Sequence, residues 1–156
     1  MNKAVFFDRD DTLIKDSGYM YKLEDLEFFP DTFEVLKNLQ NKGYLLFIVT
    51  NQSGIGRGFY TEEDMHKFNN HMLNKLKEQG IEIKEIAFCP HSPDDDCDCR
   101  KPSPKLLNIL INKYDIDTNT SWMIGDKKSD CDAGIKANLK TMSVKETVLK
   151  SLLNYI

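Results

Sequence analysis

The chain lacks any apolar run approaching the roughly 20 residues that a membrane-spanning helix needs, so no membrane partner is expected. It also lacks a basic N-terminal stretch followed by an apolar segment and a cleavage motif, so no secretory leader is expected. Basic residues are in deficit: 21 Lys and Arg stand against 25 Asp and Glu, for a formal net charge of −4. General nucleic-acid binding needs a basic face, and no interleaving of aromatic with basic residues makes up for that deficit. Cysteine is scarce, and the four present are not spread like a disulfide framework. Cys89, Cys97 and Cys99 crowd one stretch while Cys131 stands apart, which fits a reducing cytoplasm. Internal repeats, low-complexity tracts and linkers are absent too, so residues 1–156 are read as one domain and the protein as a monomer.

What is present alternates between two periods. Short apolar runs predict buried strands at Ala4–Phe7, Tyr44–Val49, Ile83–Phe88, Trp122–Ile124 and, more weakly, Lys140–Val144. Between them lie helical stripes. Asp31 is expected to cap a helix carrying Phe33, Leu36 and Leu39 inward and stopping at Gly43. Thr61 with Asp64 makes a capping box before Met65, Phe68, Met72 and Leu76. Ser103 and Pro104 read as a cap and first helical residue before Leu106, Leu107, Leu110 and Tyr114. Ser129 is expected to cap a short helix to Ala137, and Val148–Ile156 reads as a last amphipathic helix. The segment Leu13–Phe29 has the alternating character of a small hairpin. Strands apolar on both faces, alternating with helices, predict an α/β fold: a Rossmann-like parallel sheet with helices on both faces. Right-handed crossovers place every strand C-terminus on one edge, where such folds bind ligands.

Two strands deliver carboxylates to that edge. The first ends in "DRDDT", with Asp8, Asp10 and Asp11 within four positions; the fourth ends in "GDKKSD", with Asp126 and Asp130. A polar turn would account for either alone. Together they predict a cluster that is tolerable only beside a cation, since crowded carboxylates raise one another's proton affinity. Mg²⁺ fits, held by Asp8, Asp126 and the backbone carbonyl of Asp10. A carboxylate beside Mg²⁺ suggests phosphoryl chemistry on a small phosphorylated substrate. Asp8 is the candidate nucleophile and Asp10 the general acid and base. "TNQSGIGRG" follows the second strand, so Thr50 and Asn51 offer donors, and the glycines allow close backbone approach. Its spacing is not that of a dinucleotide fingerprint. Lys101 supplies the fixed positive charge, and Arg57 is a candidate for a distal substrate group.

"CPHSPDDDCDCRKP" carries a second pattern. Cys89, His91, Cys97 and Cys99 form C-x-H-x5-C-x-C, two soft pairs able to complete a tetrahedral Zn²⁺ site. A disulfide is the weaker reading, because Cys97 and Cys99 are too close for easy pairing and three cysteines leave one over. Four protein ligands leave no open position, so the zinc is expected to be structural. It would anchor an Asp-rich loop and aim Arg100 and Lys101 at the phosphate, Arg100 by forked bonds.

These motifs, in order DRDDT, Thr50, Lys101 and GDKKSD, resemble the haloacid dehalogenase superfamily of phosphatases over nearly the whole chain. The resemblance implies Asp8 as nucleophile, Asp10 as acid and base, Thr50 and Lys101 on the phosphoryl group, and Asp126 on Mg²⁺. It gives Asp130 an indirect role and turns Lys127 toward the phosphate. Relatives often have Gly where Asp11 stands, so Asp11 is expected to point away from the site. With CPH…CxCRKP the chain further resembles the subgroup of heptose-bisphosphate and histidinol-phosphate phosphatases. That subgroup implies substrate contacts from Asp16, Ser17, Gly18 and Tyr19, from Asn51, Gln52 and Ser53, and from Arg100. It implies removal of the 7-phosphate of a heptose 1,7-bisphosphate, with histidinol phosphate as the alternative substrate. The length leaves no room for a cap domain, so an open cleft is expected. A zinc-containing nucleic-acid-binding module and a catalytically silent relative are the competing readings; the charge opposes the first and the full motif set the second.

Overall fold

A computed structural model describes residues 1–156. Five strands form one parallel sheet: β1 (Ala4–Phe7), β2 (Leu45–Asn51), β3 (Glu85–Cys89), β4 (Trp122–Gly125) and β5 (Lys140–Ser143). Their order is β3-β2-β1-β4-β5, every pair parallel. The chain winds outward from β1 in one direction through β2 and β3, then returns to β1's other side for β4 and β5. The reversal opens a crevice at the carboxyl ends of β1 and β4. Phe7 is in register with Ile124, and the Asp8 backbone N–H donates to Ile124 O at 2.9 Å. The residues after β1 and β4 are therefore neighbours by construction.

Alternation along each strand divides the core in two. Val5, Phe7, Leu46 and Ile48 face α1 (Thr32–Asn41) and α3 (Glu62–Glu78), whose Leu36, Leu39, Phe68 and Met72 cover them. Ala4, Phe6, Phe47 and Val49 face α4 (Lys105–Lys113) and α5 (Lys128–Lys136) through Leu107, Leu110 and Ala133. All four residues of β1 are fully buried, as a central strand covered on both faces requires.

The helix caps depart from expectation in several places. Asp31 occupies the N-cap position of α1, but its backbone is already helical and its side chain makes no capping bond. Ser103 is one residue too early: Pro104 is the N-cap of α4, while Ser103 Oγ accepts from Lys105 N at 3.2 Å and donates to Asp98 O at 2.7 Å. Ser129 lies inside α5, whose N-cap position is Lys127; from the third helical position the Asp130 carboxylate reaches back to accept from Lys127 N at 3.1 Å. The last helix is a 3-10 helix, Leu149–Asn154, with Leu149 and Leu152 buried at the three-residue spacing that such a helix eclipses. The hairpin shrinks to a bridge between Ile14 and Phe28, with Lys15 N donating to Glu27 O at 2.8 Å and a 3-10 turn at Leu23–Asp25. A short helix, α2 (Ser53–Gly56), follows β2 where only a glycine-rich loop is predicted.

The capping box at α3 forms with both arms: Asp64 N donates to Thr61 Oγ1 at 3.0 Å, and Thr61 N donates to Asp64 Oδ2 at 3.0 Å. Thr61→Ala is expected to destabilise the protein by about 1 kcal/mol, read as a lower urea midpoint with an unchanged slope.

Candidate active site

Lys101 stands at the centre of the crevice. Its Nζ lies 3.0 Å from Asp8 Oδ1 and 2.6 Å from Asp130 Oδ1, and donates to Val49 O at 2.7 Å. All three side chains are at least nine-tenths buried. Burial alone would depress the lysine's proton affinity, but Asp8 and Asp130 outweigh it and hold Lys101 above its usual range. The backbone of Lys101 is fixed as well. Asn51 Oδ1 accepts from Lys101 N at 3.0 Å, and Asn51 Nδ2 donates to Lys101 O at 3.3 Å. Asn51 thus spends its amide on the lysine's main chain.

Asp126 completes a group with Asp8 and Asp130 whose carboxylate oxygens lie within 4.8 Å of one another. Asp130 already serves Lys101 through one oxygen and the Lys127 N–H through the other. Asp126 Oδ1, in contrast, is buried with no hydrogen-bond partner. Burial, then the charge of Asp8, pushes Asp126 up to about 7. An orphaned oxygen beside a second carboxylate is the donor set a hard divalent cation takes, so the residues fit Mg²⁺. Gly125 makes the arrangement possible, since a Cβ there would collide with the Asp130 carboxylate. On the β5 side the cluster meets an open cleft of about 1550 Å³ bordered by Asp126, Lys127, Ser143 and Lys145.

Asp10 is held apart from this group. Arg9 grips it with two prongs, Nε to Oδ1 at 2.8 Å and Nη2 to Oδ2 at 3.1 Å. Gln52 Nε2 lies 3.4 Å from Asp10 Oδ2 and donates to Thr50 Oγ1 at 2.8 Å, and Gln52 Oε1 accepts from the buried Tyr60 hydroxyl. Burial raises Tyr60 to about 12, so the phenol stays a donor. Gln52 is therefore occupied inside the site. Arg9, Tyr60 and Asn69, which accepts from Arg9, have no counterpart in the sequence reading; the available signal was an arginine set between two site aspartates.

Asp16, Ser17, Gly18 and Tyr19 form an exposed loop, with Gly18 and Tyr19 at positive φ. Asp11 has φ 59°, a left-handed turn that Gly adopts freely and Asp tolerates. Its carboxylate accepts from Asp16 N at 2.9 Å and stays outside the cluster. Ser53 is half-buried at the start of α2, and Lys127 and Arg57 are exposed. The glycine run serves packing. A Cβ on Gly54 would strike the Tyr60 ring, and one on Gly56 would lie 2.6 Å from Ser92 N. Gly56 N donates to Pro90 O at 2.8 Å, so α2 lies directly on the cysteine loop.

In that loop Cys89, His91, Cys97 and Cys99 bring their ligand atoms within 4.8 Å of one another. Cys89 Sγ and Cys99 Sγ each lie 3.4 Å from His91 Nδ1, and Cys89 Sγ lies 3.8 Å from Cys97 Sγ. Burial, then the neighbouring Cys99, pushes Cys89 up to about 12. Backbone hydrogen bonding from Arg100 lowers Cys97. Three sulfurs and an imidazole nitrogen facing one point suit Zn²⁺. Arg100 follows directly, with its Nη1 buried and unpartnered.

A family model described as polynucleotide kinase 3 phosphatase matches residues 3–146. A D-glycero-beta-D-manno-heptose-1,7-bisphosphate 7-phosphatase of Helicobacter pylori is 44% identical over 140 residues, 89% of this chain and 81% of that one. A D-glycero-alpha-D-manno-heptose-1,7-bisphosphate 7-phosphatase of Campylobacter jejuni is 43% identical over 140 residues, 90% and 80% of the two chains. The chain belongs to this family of haloacid dehalogenase-type phosphatases. Among solved structures, the D,D-heptose 1,7-bisphosphate phosphatase of B. bronchiseptica, complexed with magnesium and phosphate, shares the fold at TM-score 0.85 and 24% identity, covering 99% of both chains. A HAD-like phosphatase of Mesorhizobium loti superposes at TM-score 0.83 with 29% identity, over 88% of this chain and 69% of that one.

The raised Asp126 gives a signed pH dependence. The folded state holds this proton more tightly than the unfolded one. Its contribution is most favourable below about pH 4 and erodes as pH rises toward 7. In magnesium-free buffer, Asp126→Asn is expected to gain melting temperature relative to wild type across that window. Parallel melting curves of the two proteins from pH 4 to 8 would contradict this.

Proposed function

We propose that this phosphatase removes the 7-phosphate of D-glycero-D-manno-heptose 1,7-bisphosphate through an aspartyl-phosphate on Asp8. The observation that carries the reading is Asp8 set beside Asp126 across the β1–β4 crevice, with the buried Lys101 ammonium 3.0 Å away. Relatives of 43–44% identity bear that activity in their names. An Asp8 oxygen attacks phosphorus while the bond from phosphorus to the sugar oxygen breaks, and Asp10 gives its proton to the departing oxygen. Asp10 then takes a proton from water, whose oxygen bonds phosphorus as the Asp8–phosphorus bond breaks and phosphate leaves. Lys101 neutralises the phosphoryl oxygens, and the Thr50 hydroxyl, oriented by Gln52, donates to one of them. Mg²⁺ held by Asp8, Asp126 and the Asp10 carbonyl would supply charge neutralisation for the reacting phosphoryl group.

The exposed loop Asp16–Tyr19, Ser53, Arg100 and Lys127 are the candidates for contacts to the sugar and second phosphate. The unpartnered Arg100 Nη1 supports a phosphate contact there. No helix is long and apolar enough to cross a membrane. The reading includes a monomeric, cytoplasmic enzyme acting on a small molecule, with no nucleic-acid partner. Histidinol phosphate is the second substrate reading, favoured by the spacing of the cysteine loop.

Magnesium-dependent phosphate release is expected to be fastest with a heptose 1,7-bisphosphate and to fall by at least about 1000-fold in Asp8→Asn. Both anomers, histidinol phosphate and a 3′-phosphorylated oligonucleotide should be compared side by side. Faster turnover of either of the last two would overturn the substrate assignment. Zinc occupies the cysteine cluster in this reading, which metal analysis should find at about one ion per chain. Stripping it should lower turnover through displacement of Arg100 and Lys101, even with magnesium restored. Full activity of the stripped protein would show that the loop needs no metal.

A further inference from the structure

We infer that Arg9 is a positioning residue that sets the carboxylate of Asp10 and ties it to the loop ending at Met20. This rests on the reading of Asp10 as the acid and base. Arg9 is the largest fully buried side chain in the molecule. Burying a guanidinium is costly unless its donors are met, and an apolar residue would fill the same space at lower desolvation cost. A purely structural role does not explain a cation here. Its one ion-pair partner does: Asp10, reached at 2.8 Å.

The remaining donors hold the guanidinium still. Nη1 donates to Asn69 Oδ1 at 2.9 Å, from α3 and outside the reacting group. Nη2 is shared with Gln52 Oε1 at 3.2 Å and Met20 O at 3.4 Å. The Phe68 ring lies beneath the guanidinium, 4.7 Å from its carbon. The planar fork can therefore present one orientation to Asp10, and a lysine cannot reproduce it. Asp10 is 23% exposed and would otherwise be free to turn into solvent. Met20 is 1% exposed and closes the Asp16–Tyr19 loop, so one side chain fixes both the acid–base group and the root of that loop.

Two variants test this. Arg9→Lys keeps the charge and loses the fork. Asn69→Leu keeps Arg9 and removes its anchor at a buried position on α3, with no bond to Asp8, Asp126 or Lys101. Each should lower kcat, by roughly 10- to 100-fold for Arg9→Lys and less for Asn69→Leu, with KM within about twofold of wild type. Placed on Asp10→Asn, each should change kcat by less than about twofold, because the group it acts through is gone. Equal losses in both backgrounds, or a loss expressed in KM, would overturn the positioning role. Crystals of Arg9→Lys provide a readout independent of activity: the Asp10 carboxylate should leave its wild-type position, and an unmoved Asp10 would overturn the inference. If Arg9→Lys does not fold, Asn69→Leu decides by the same two measurements. Wild-type protein without magnesium-dependent phosphate release on any of the four substrates would instead sink the phosphatase reading, and the crystallographic result would stand apart from it.

Discussion

The buried lysine between two buried aspartates is the interaction on which the site depends. Lys101 reaches the crevice from the far end of the cysteine loop, Asp8 from β1 and Asp130 from α5. Each charge alone would be prohibitive at such burial, and removing one partner of such a pair costs about 3–5 kcal/mol. Together they lock three distant segments into one geometry. The excess of carboxylate over ammonium is left on Asp126, whose unpartnered oxygen and raised proton affinity mark where a cation belongs. Stability and chemistry therefore draw on the same set of charges.

The sheet order explains why these segments meet. β1 lies at the centre, with strands added to both sides of it, so its carboxyl end stands where the direction of winding reverses. Asp8 follows a strand buried on both faces and cannot shift along it without moving Phe7 out of the core. The placement of the candidate nucleophile is thus inherited from hydrophobic packing. The cysteine loop does the equivalent for Lys101. α2 rests on it through Gly56 and Pro90, and Asn51 clamps the lysine's main chain from the end of β2.

Much of this was legible from the residues. The apolar runs of β1, β2 and β4 carry both type and place, since a strand covered on both faces admits little else. Clustering of Asp8 with Asp126 follows from parallel topology. What stayed hidden depends on side chains that find partners far along the chain. Asn51 and Gln52 read as donors to a ligand, because nothing local shows that Lys101, Thr50 and Asp10 claim their amides first. The glycine run reads as a ligand cradle until Tyr60 and Ser92 are seen against it. Cap positions slipped by a residue or more because several polar candidates stand together and only backbone geometry chooses among them. Arg9 is hidden in the sequence because an arginine beside aspartates reads as a surface residue, whereas here it is fully buried.

The tight corner at Gly125 has a further reach. Asp130 occupies the space that a methyl group would need there, so even the smallest side chain would push that carboxylate off the Lys101 ammonium. A buried glycine with no side chain of its own thereby governs the charge at the heart of the crevice. At this corner, backbone packing and the charge balance around the lysine are one constraint.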